Sequence, residues 1–408
     1  MRRFDILIAG AGHAGAQAAI TLRQLGFSGS IGLIGAENEL PYERPPLSKE
    51  YFAGEKEFDR LLLRPEQFWQ ERQIEMHMGL RVDTIDAARK QVGTRQGEIG
   101  YGKLIWAAGG RPRPLACPGA DADNVHVIRE RVDIDRIRAQ LDRISCAAII
   151  GGGYIGLEAA SVLTKFGKRV VLLEAQDRVL ARVAGQELSR FFEDEHRNHG
   201  VDLRTATNVE AIETDGPTAT AVRTREGERI AADMLIVGIG IIPEVEPLAS
   251  AGAIVSDGVH VDDYCRTSLA DIYAIGDCAS HINAFADGKR VRLESIQNAH
   301  NQAKTAAAHI VGTDAPYDAP PWFWSNQYDL KLQTVGISQG HDQTVMRGDP
   351  ARRSFSLLYL KQGRLIALDC VNNVKDYVQG KAHILSGAVL DPALLANDSI
   401  ALKDFASA

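Results

Sequence analysis

Two short glycine patterns hold the plainest chemistry in this chain. "IAGAGHAG" sets Gly10, Gly12 and Gly15, and "IGGGYIG" sets Gly151, Gly153 and Gly156. In each, an apolar run stops at the first glycine and an alanine-rich stretch with helical periodicity begins. The first glycine of such a turn permits a tight bend, and the second lets the backbone approach a pyrophosphate. The third packs helix against strand, and the helix N-terminus offers free N–H groups to the phosphates. A carboxylate closing the next strand can accept the hydroxyls of a ribose, and each unit supplies one. Glu37 lies 22 residues after Gly15, and Glu174 lies 18 after Gly156. One such pattern among 38 glycines decides little. Two, each following a predicted strand and opening a predicted helix, predict two dinucleotide sites.

The pair of sites constrains the chemistry. Two nicotinamides would exchange hydride to no purpose, whereas a flavin beside a nicotinamide makes a redox relay. Glu174 has no arginine directly after it, which favours NADH over NADPH, although Arg178 and Arg182 follow closely. Tyr154 and Ile155 fill the second turn between its glycines.

Other chemistries lack their residues. The five cysteines, Cys117, Cys146, Cys265, Cys278 and Cys370, stand far apart, with no CxxC and no HExxH. No metal site is expected, and the reading is of a reduced protein without disulfides. The net charge of −7 and the lack of a Lys/Arg-rich tract argue against nucleic-acid binding. "MRRFDILIAGAG" imitates a signal peptide, but Asp5, the glycines and His13 interrupt it. No apolar run is long enough to span a membrane, and a cytoplasmic location is expected.

The elements that would position these residues follow a repeated order. Strand Phe4–Ala9, a glycine turn, helix Ala14–Leu25 and strand "SIGLIGAE" come first. The loop "NELPYERPPLSKEY" carries three prolines that bar a regular helix. A strand "KLIWAAGG" and a linker "RPRP" close this part. The order restarts with "CAAIIGGG", helix Tyr154–Phe166 and strand "RVVLLEA", and ends on "MLIVGIGIIP". "DIYAIGDC" is a short strand ending at Asp277. After Pro320 and Pro321 the composition changes: no glutamate occurs, and alternating strands such as "RSFSLLYL" and "GRLIALDC" predict an α+β portion.

The strings "GAGHAGAQAA", "PYERPPLSKEY", "GGGYIGLEAA", "YAIGDCA", "RLESIQNA" and "PWFWSNQYDLKLQTVG" together resemble a known family from end to end. It is the FAD-dependent NADH–ferredoxin reductases of bacterial P450 and aromatic dioxygenase systems, of the putidaredoxin- and palustrisredoxin-reductase kind. The glycine turns are shared by all flavoproteins that bind two dinucleotides; "RPPLSK" and "PWFWSNQY" are far more specific. The resemblance implies an α/β fold with two Rossmann-like domains in the glutathione-reductase arrangement, plus a C-terminal α+β interface domain. The FAD domain would be split over 1–109 and 244–321, the NADH domain inserted at 110–243, and the interface domain would span 322–408.

It further implies non-covalent FAD on Gly10, Gly12, Ala14, Gly15, Glu37, Lys49, Val82, Arg129, Asp277, Ile296 and Trp324. NADH would lie on Gly151, Gly153, Tyr154, Ile155, Gly156, Glu158 and Glu174. Lys49, paired with Glu158, would support charge at the flavin, and Trp324 would lie against it where a [2Fe–2S] ferredoxin docks. That ferredoxin would feed a P450 or a ring-hydroxylating oxygenase. Two departures stand out: the usual "ATG" is "AAG" at Ala107–Gly109, and Ala36 replaces an acid, displacing that role to Glu37. A disulfide or peroxide reductase would need a cysteine between Glu37 and Phe58, where there is none. A signalling flavoprotein like the apoptosis-inducing factors would call for a basic or targeting segment, and none is visible. From Trp322 onward nine Lys and Arg face eight Asp and Glu, making this the least acidic part, with Lys331, Arg352 and Arg353 as nominees for ferredoxin contact.

Overall fold

The computed structural model describes residues 2–405 and divides into two compact units. Of the described residues, the first comprises 2–43, 59–111 and 242–323; the second comprises 44–58, 112–241 and 324–405.

In the first unit, strand Arg2–Ala9 lies parallel between Ile31–Ile34 and Gly97–Trp106, with Ile8 opposite both Leu33 and Ile105. Ile74–His77 extends the sheet at one edge, and Ile272–Ala274 also pairs with Gly97–Trp106. Parallel strands covered on both faces read as unbroken apolar runs, as "ILIA" at 6–9 does. Helix His13–Gln24 packs on this sheet and on helix Ile296–Ile310 through small side chains. Ala14, Ala16, Ala18 and Ala19 share a core with Ala299, Ala303, Ala306 and Ala307. Alanine-lined faces let two helix backbones approach closely, and near their N-terminal ends Ala14 and Ala299 both lie against Gly276. The strand predicted at Lys103–Ala108 begins earlier, at Gly97. The prolines of the long loop do stop an α-helix there, leaving only a 3-10 turn at Pro45–Ser48.

The second unit repeats the plan. Its parallel sheet runs Asp202–Arg204, Arg169–Leu173, Cys146–Ile150, Met234–Val237 and Val125–His126. Helix Tyr154–Lys165 follows the Cys146–Ile150 strand, as His13–Gln24 follows Arg2–Ala9. The predicted strand through "MLIVGIGIIP" is broken into Met234–Val237 and Ile241–Pro243. The C-terminal portion is a five-stranded antiparallel sheet with helix Val374–Ser386 against it.

The "RPPLSKEY" loop and the C-terminal sheet both belong to the second unit. Polar contacts fasten them there: Tyr51 donates to Asp135 at 2.5 Å, Arg353 pairs with Glu195 at 3.0 Å, and the Gly185 N–H donates to the Tyr359 hydroxyl at 3.0 Å.

Candidate functional site

The two glycine turns are built on one steric template. Gly10 has φ +115°, and a Cβ there would lie 2.2 Å from the Ala107 carbonyl oxygen. Gly151 has φ +112°, and its Cβ would lie 2.4 Å from the Gly238 carbonyl oxygen. Both need glycine for conformation and for space. A Cβ on Gly15 would meet the Gly10 carbonyl oxygen at 1.9 Å, and one on Gly156 would meet that of Gly151 at 2.0 Å. The middle glycines differ. Around Gly12 and Gly153 a Cβ would touch nothing within 4 Å, and both backbones are extended. No fold requirement excludes a side chain at either position.

Gly12 and Gly153 are also the N-caps of their helices, and neither helix has a side-chain cap or an acid in its first turn. The first N–H groups of a helix need acceptors, and a glycine at the N-cap has no side-chain oxygen to offer them. Open space over an uncapped helix N-terminus fits a pyrophosphate at each turn.

The acids that follow are held differently. The Tyr42 hydroxyl donates to Glu37 Oε2 at 2.5 Å. Glu174 accepts from the Gly152 N–H at 2.6 Å and from the Gln176 N–H at 2.7 Å, so its carboxylate is fixed against the glycine turn itself. Ile155, at the second turn, exposes 40% of its surface, unusual for an isoleucine beside a core. Burial raises the Tyr154 phenol above its ordinary range, keeping it a neutral donor.

Within the first unit, Ala14 sits beside Gly276, whose added Cβ would be 3.0 Å from the Ala14 Cβ, and Asp277 follows directly. Gly276 is fixed by its N–H to Gln302 Oε1 at 2.7 Å. Ile296 begins its helix behind a Ser295 cap. The fold thus gathers Gly10, Gly12, Ala14, Gly15, Asp277 and Ile296 around two neighbouring helix ends. Val82 is 6% exposed and its side chain belongs to the core with Ala9, Ile34 and Trp106. Lys49, Arg129 and Trp324 lie in the second unit. There the Arg129 carbonyl accepts from Arg44 at 2.6 Å.

Lys49 and Glu158 do meet. Lys49 Nζ lies 2.6 Å from Glu158 Oε2, with Glu158 1% exposed on helix Tyr154–Lys165. Two serines complete the carboxylate's shell: Ser48 Oγ donates to Oε2 at 2.5 Å and Ser325 Oγ to Oε1 at 2.6 Å. A buried charge persists only when paired and hydrogen-bonded, and Glu158 is both. A cavity of about 450 Å³ opens beside the pair, lined by Ser161, Thr164, Lys165, His199, Asn326 and Tyr328. Ser48 and Ser325 escaped the sequence reading although each adjoins a nominated residue, Lys49 or Trp324, within the two most specific strings.

The cysteines take no part. Cys146, Cys265, Cys278 and Cys370 are buried, Cys117 partly so, and all five are free. Burial pushes every one of these thiols up, Cys278 to about 12, so none is a ready thiolate. No group of metal-ligating side chains occurs among the described residues. No helix among them is long and apolar enough to cross a membrane. Of the basic nominees, Arg353 is engaged by Asp329 and Glu195. Arg352 lies 3.6 Å from Asp349 with its side chain 85% exposed.

Residues 4–303 match the pyridine nucleotide-disulphide oxidoreductase family, and 322–406 match the reductase C-terminal family. The chain belongs to the ferredoxin reductases of this family. It is 60% identical to the 5,5'-dehydrodivanillate O-demethylase ferredoxin reductase subunit of a Sphingobium species, over the whole of both chains. The ferredoxin reductase for the CYP199A2 system of Rhodopseudomonas palustris superposes with a TM-score of 0.95 at 40% identity, covering 99% of each chain. Putidaredoxin reductase in covalent complex with putidaredoxin gives the same TM-score at 38% identity, covering 99% of this chain and 97% of that one. Family membership carries FAD and NAD(P)H binding with it, and the two open, uncapped turns fit these groups.

Proposed function

We infer that this protein is an NADH-dependent ferredoxin reductase: it takes hydride from NADH onto a non-covalent FAD and delivers electrons singly to a [2Fe–2S] ferredoxin serving a P450 or ring-hydroxylating oxygenase. The observation that carries this reading is the repeated template, two glycine turns each open at its middle glycine and uncapped at its helix. FAD supplies the step from a two-electron donor to a one-electron acceptor.

The chain's own residues bind, orient and polarise. Gly10, Gly12 and Gly15 seat one pyrophosphate, with Glu37, Ala14, Asp277 and Ile296 around the same ligand and the Val82 backbone at its edge. Gly151, Gly153 and Gly156 seat the other, with Tyr154 and Ile155 over it. Glu174, already anchored to its turn, faces the second ribose and repels the additional phosphate of NADPH. Lys49 is the cation offered to the flavin, held by Glu158 so that its charge has a fixed direction. Arg129 and Trp324 complete the flavin's surroundings, with Trp324 on the side open to ferredoxin. The FAD portion at 1–109 and 244–321, the NADH portion at 110–243 and an interface portion at 322–408 divide these duties. A cytoplasmic setting, where NADH is plentiful and thiols stay reduced, suits five free cysteines.

Steady-state turnover tests the reading. NADH-driven reduction of a [2Fe–2S] ferredoxin should be fast, and a disulfide substrate should be ignored. Slow NADH oxidation with every acceptor would refute it.

A further inference from the structure

A single line of hydrogen bonds runs behind Glu158, every member lying in the second unit. The Gln327 amide Nε2 donates to Ser325 Oγ at 3.2 Å, and Ser325 donates onward to Glu158 at 2.6 Å. That orientation turns Gln327 Oε1 toward His196 Nε2, 2.9 Å away, so Nε2 carries the imidazole proton. His196 Nδ1 is then left to accept, and the Tyr328 hydroxyl donates to it at 3.0 Å. Burial lowers the His196 pKa to about 4, so the imidazole stays neutral and keeps one ring nitrogen as an acceptor. From Tyr328 to Glu158 every donor points the same way.

Tyr328 is held at the start of this line at some cost. Its φ is +55°, a left-handed conformation that bulky residues rarely adopt. Its N–H is fixed by Ser161 Oγ at 2.8 Å, and its ring stacks on His199 at 3.7 Å between centroids. Ser325, Gln327 and His196 are all buried. A buried polar chain is favourable only when every member is satisfied, and aligned dipoles strengthen one another toward the charge at the end. The charged and titratable groups facing Glu158 are Lys49 from the Pro-rich loop and Tyr154 from its own helix. Tyr328 and His199 face His196.

We propose that Ser325 is a positioning residue of the reductase reaction: backed by Gln327, His196 and Tyr328, it fixes the Glu158 carboxylate and thereby aims the Lys49 ammonium. The proposal rests on the reading that the Lys49–Glu158 pair acts on the flavin, and it assigns that reading a second layer.

The test compares Ser325→Ala, Ser325→Cys, Ser325→Thr, Glu158→Gln and Lys49→Met in the FAD-loaded protein. It measures the midpoint potential of the bound flavin and the stopped-flow rate of its reduction by NADH. Ser325→Ala should move the potential in the same direction as Glu158→Gln and slow flavin reduction about three- to tenfold, the weight of one charge-assisted hydrogen bond acting indirectly. Ser325→Cys, which keeps the volume but donates weakly, should behave like the alanine variant, and Ser325→Thr should restore both readings. Adding Ser325→Ala to Glu158→Gln should change nothing further. Wild-type potential and rate in Ser325→Ala and Ser325→Cys, with Glu158→Gln and Lys49→Met clearly altered, would overturn the proposal alone. Wild-type values in Glu158→Gln and Lys49→Met as well would overturn the reading beneath it.

Discussion

Gly153→Ala separates binding from folding more cleanly than any other single change in this chain. Gly153 has φ −80° and ψ 178°, which alanine adopts freely, and a new Cβ meets nothing within 4 Å. Two small stability terms oppose each other. Alanine restricts the unfolded chain, worth about 0.4–1 kcal/mol, but is a poorer N-cap than glycine by a similar amount. Folding stability should therefore stay within about 1 kcal/mol of wild type. Binding has no such cancellation. On the proposed reading the methyl group would occupy the space over the helix N-terminus and should push the pyrophosphate off at least one N–H. A lost hydrogen bond to a charged group is worth roughly 1.5–3 kcal/mol, about 10- to 100-fold in affinity.

Gly156→Ala is the control. Its Cβ would stand 2.0 Å from the Gly151 carbonyl oxygen, where ordinary contact begins at 3.4 Å, so helix and strand must part by roughly 1.4 Å. Overpacking of that kind costs about 1–3 kcal/mol or more. The assay pairs urea unfolding with the KM for NADH, using ferricyanide as acceptor and flavin absorbance to check FAD content. An unchanged KM in Gly153→Ala, or a stability loss matching that of Gly156→Ala, would refute the template argument.

Other outcomes follow from the same geometry. Glu174→Ser should narrow the preference for NADH mainly by improving NADPH affinity, and equal use of both cofactors by the wild type would remove its basis. Lys49→Met strands a buried carboxylate, so the protein should lose about 3–5 kcal/mol of stability and its flavin should be reduced more slowly in stopped flow; unchanged unfolding and reduction would return Lys49 to a surface role. Burial raises the Asp369 carboxyl to about 7 even though Tyr359 donates to it at 2.6 Å. The folded state thus holds a proton the unfolded chain has released, and stability is lost as pH rises from about 4 through 7. Asp369→Asn should gain on wild type by up to about 4 kcal/mol across that window in urea titrations, and parallel pH curves would refute this. Trp324→Ala should impair ferredoxin reduction more than ferricyanide reduction, and rising salt should do the same; equal losses with both acceptors would show that Trp324 serves only the flavin.

The sequence made the repeated units legible because each function there needs a residue type at a fixed interval. Gly10 and Gly15 obey a local steric rule, and so do Gly151 and Gly156, their partners 141 residues on; the middle glycines keep the same interval. Helix ends were also readable to within a residue or so, since alanine runs and glycine stops mark them. The pairing of Lys49 with Glu158 was not readable from spacing, for 109 residues separate them and only the resemblance suggested it. Ser325 and His196 were harder still. Serine and histidine have no periodic signature, and their alignment depends on a tyrosine in a left-handed conformation that no local motif announces. Arg353, nominated for ferredoxin contact from charge alone, also pairs with two carboxylates, Glu195 and Asp329, that no spacing in the sequence announces.

The near-identity of the two glycine turns implies that they are interchangeable parts. If Gly10–Gly15 and Gly151–Gly156 impose the same shape on whatever they hold, neither can tell one adenine dinucleotide from another. Discrimination must then reside in what surrounds each cradle, beginning with the acid one strand later. There a tyrosine hydroxyl grips Glu37, while two backbone N–H groups grip Glu174. A graft exchanging the two turns should leave each site with its original cofactor, and redesign of cofactor choice belongs at Tyr42, Glu37, Glu174 and Gln176 rather than at any glycine.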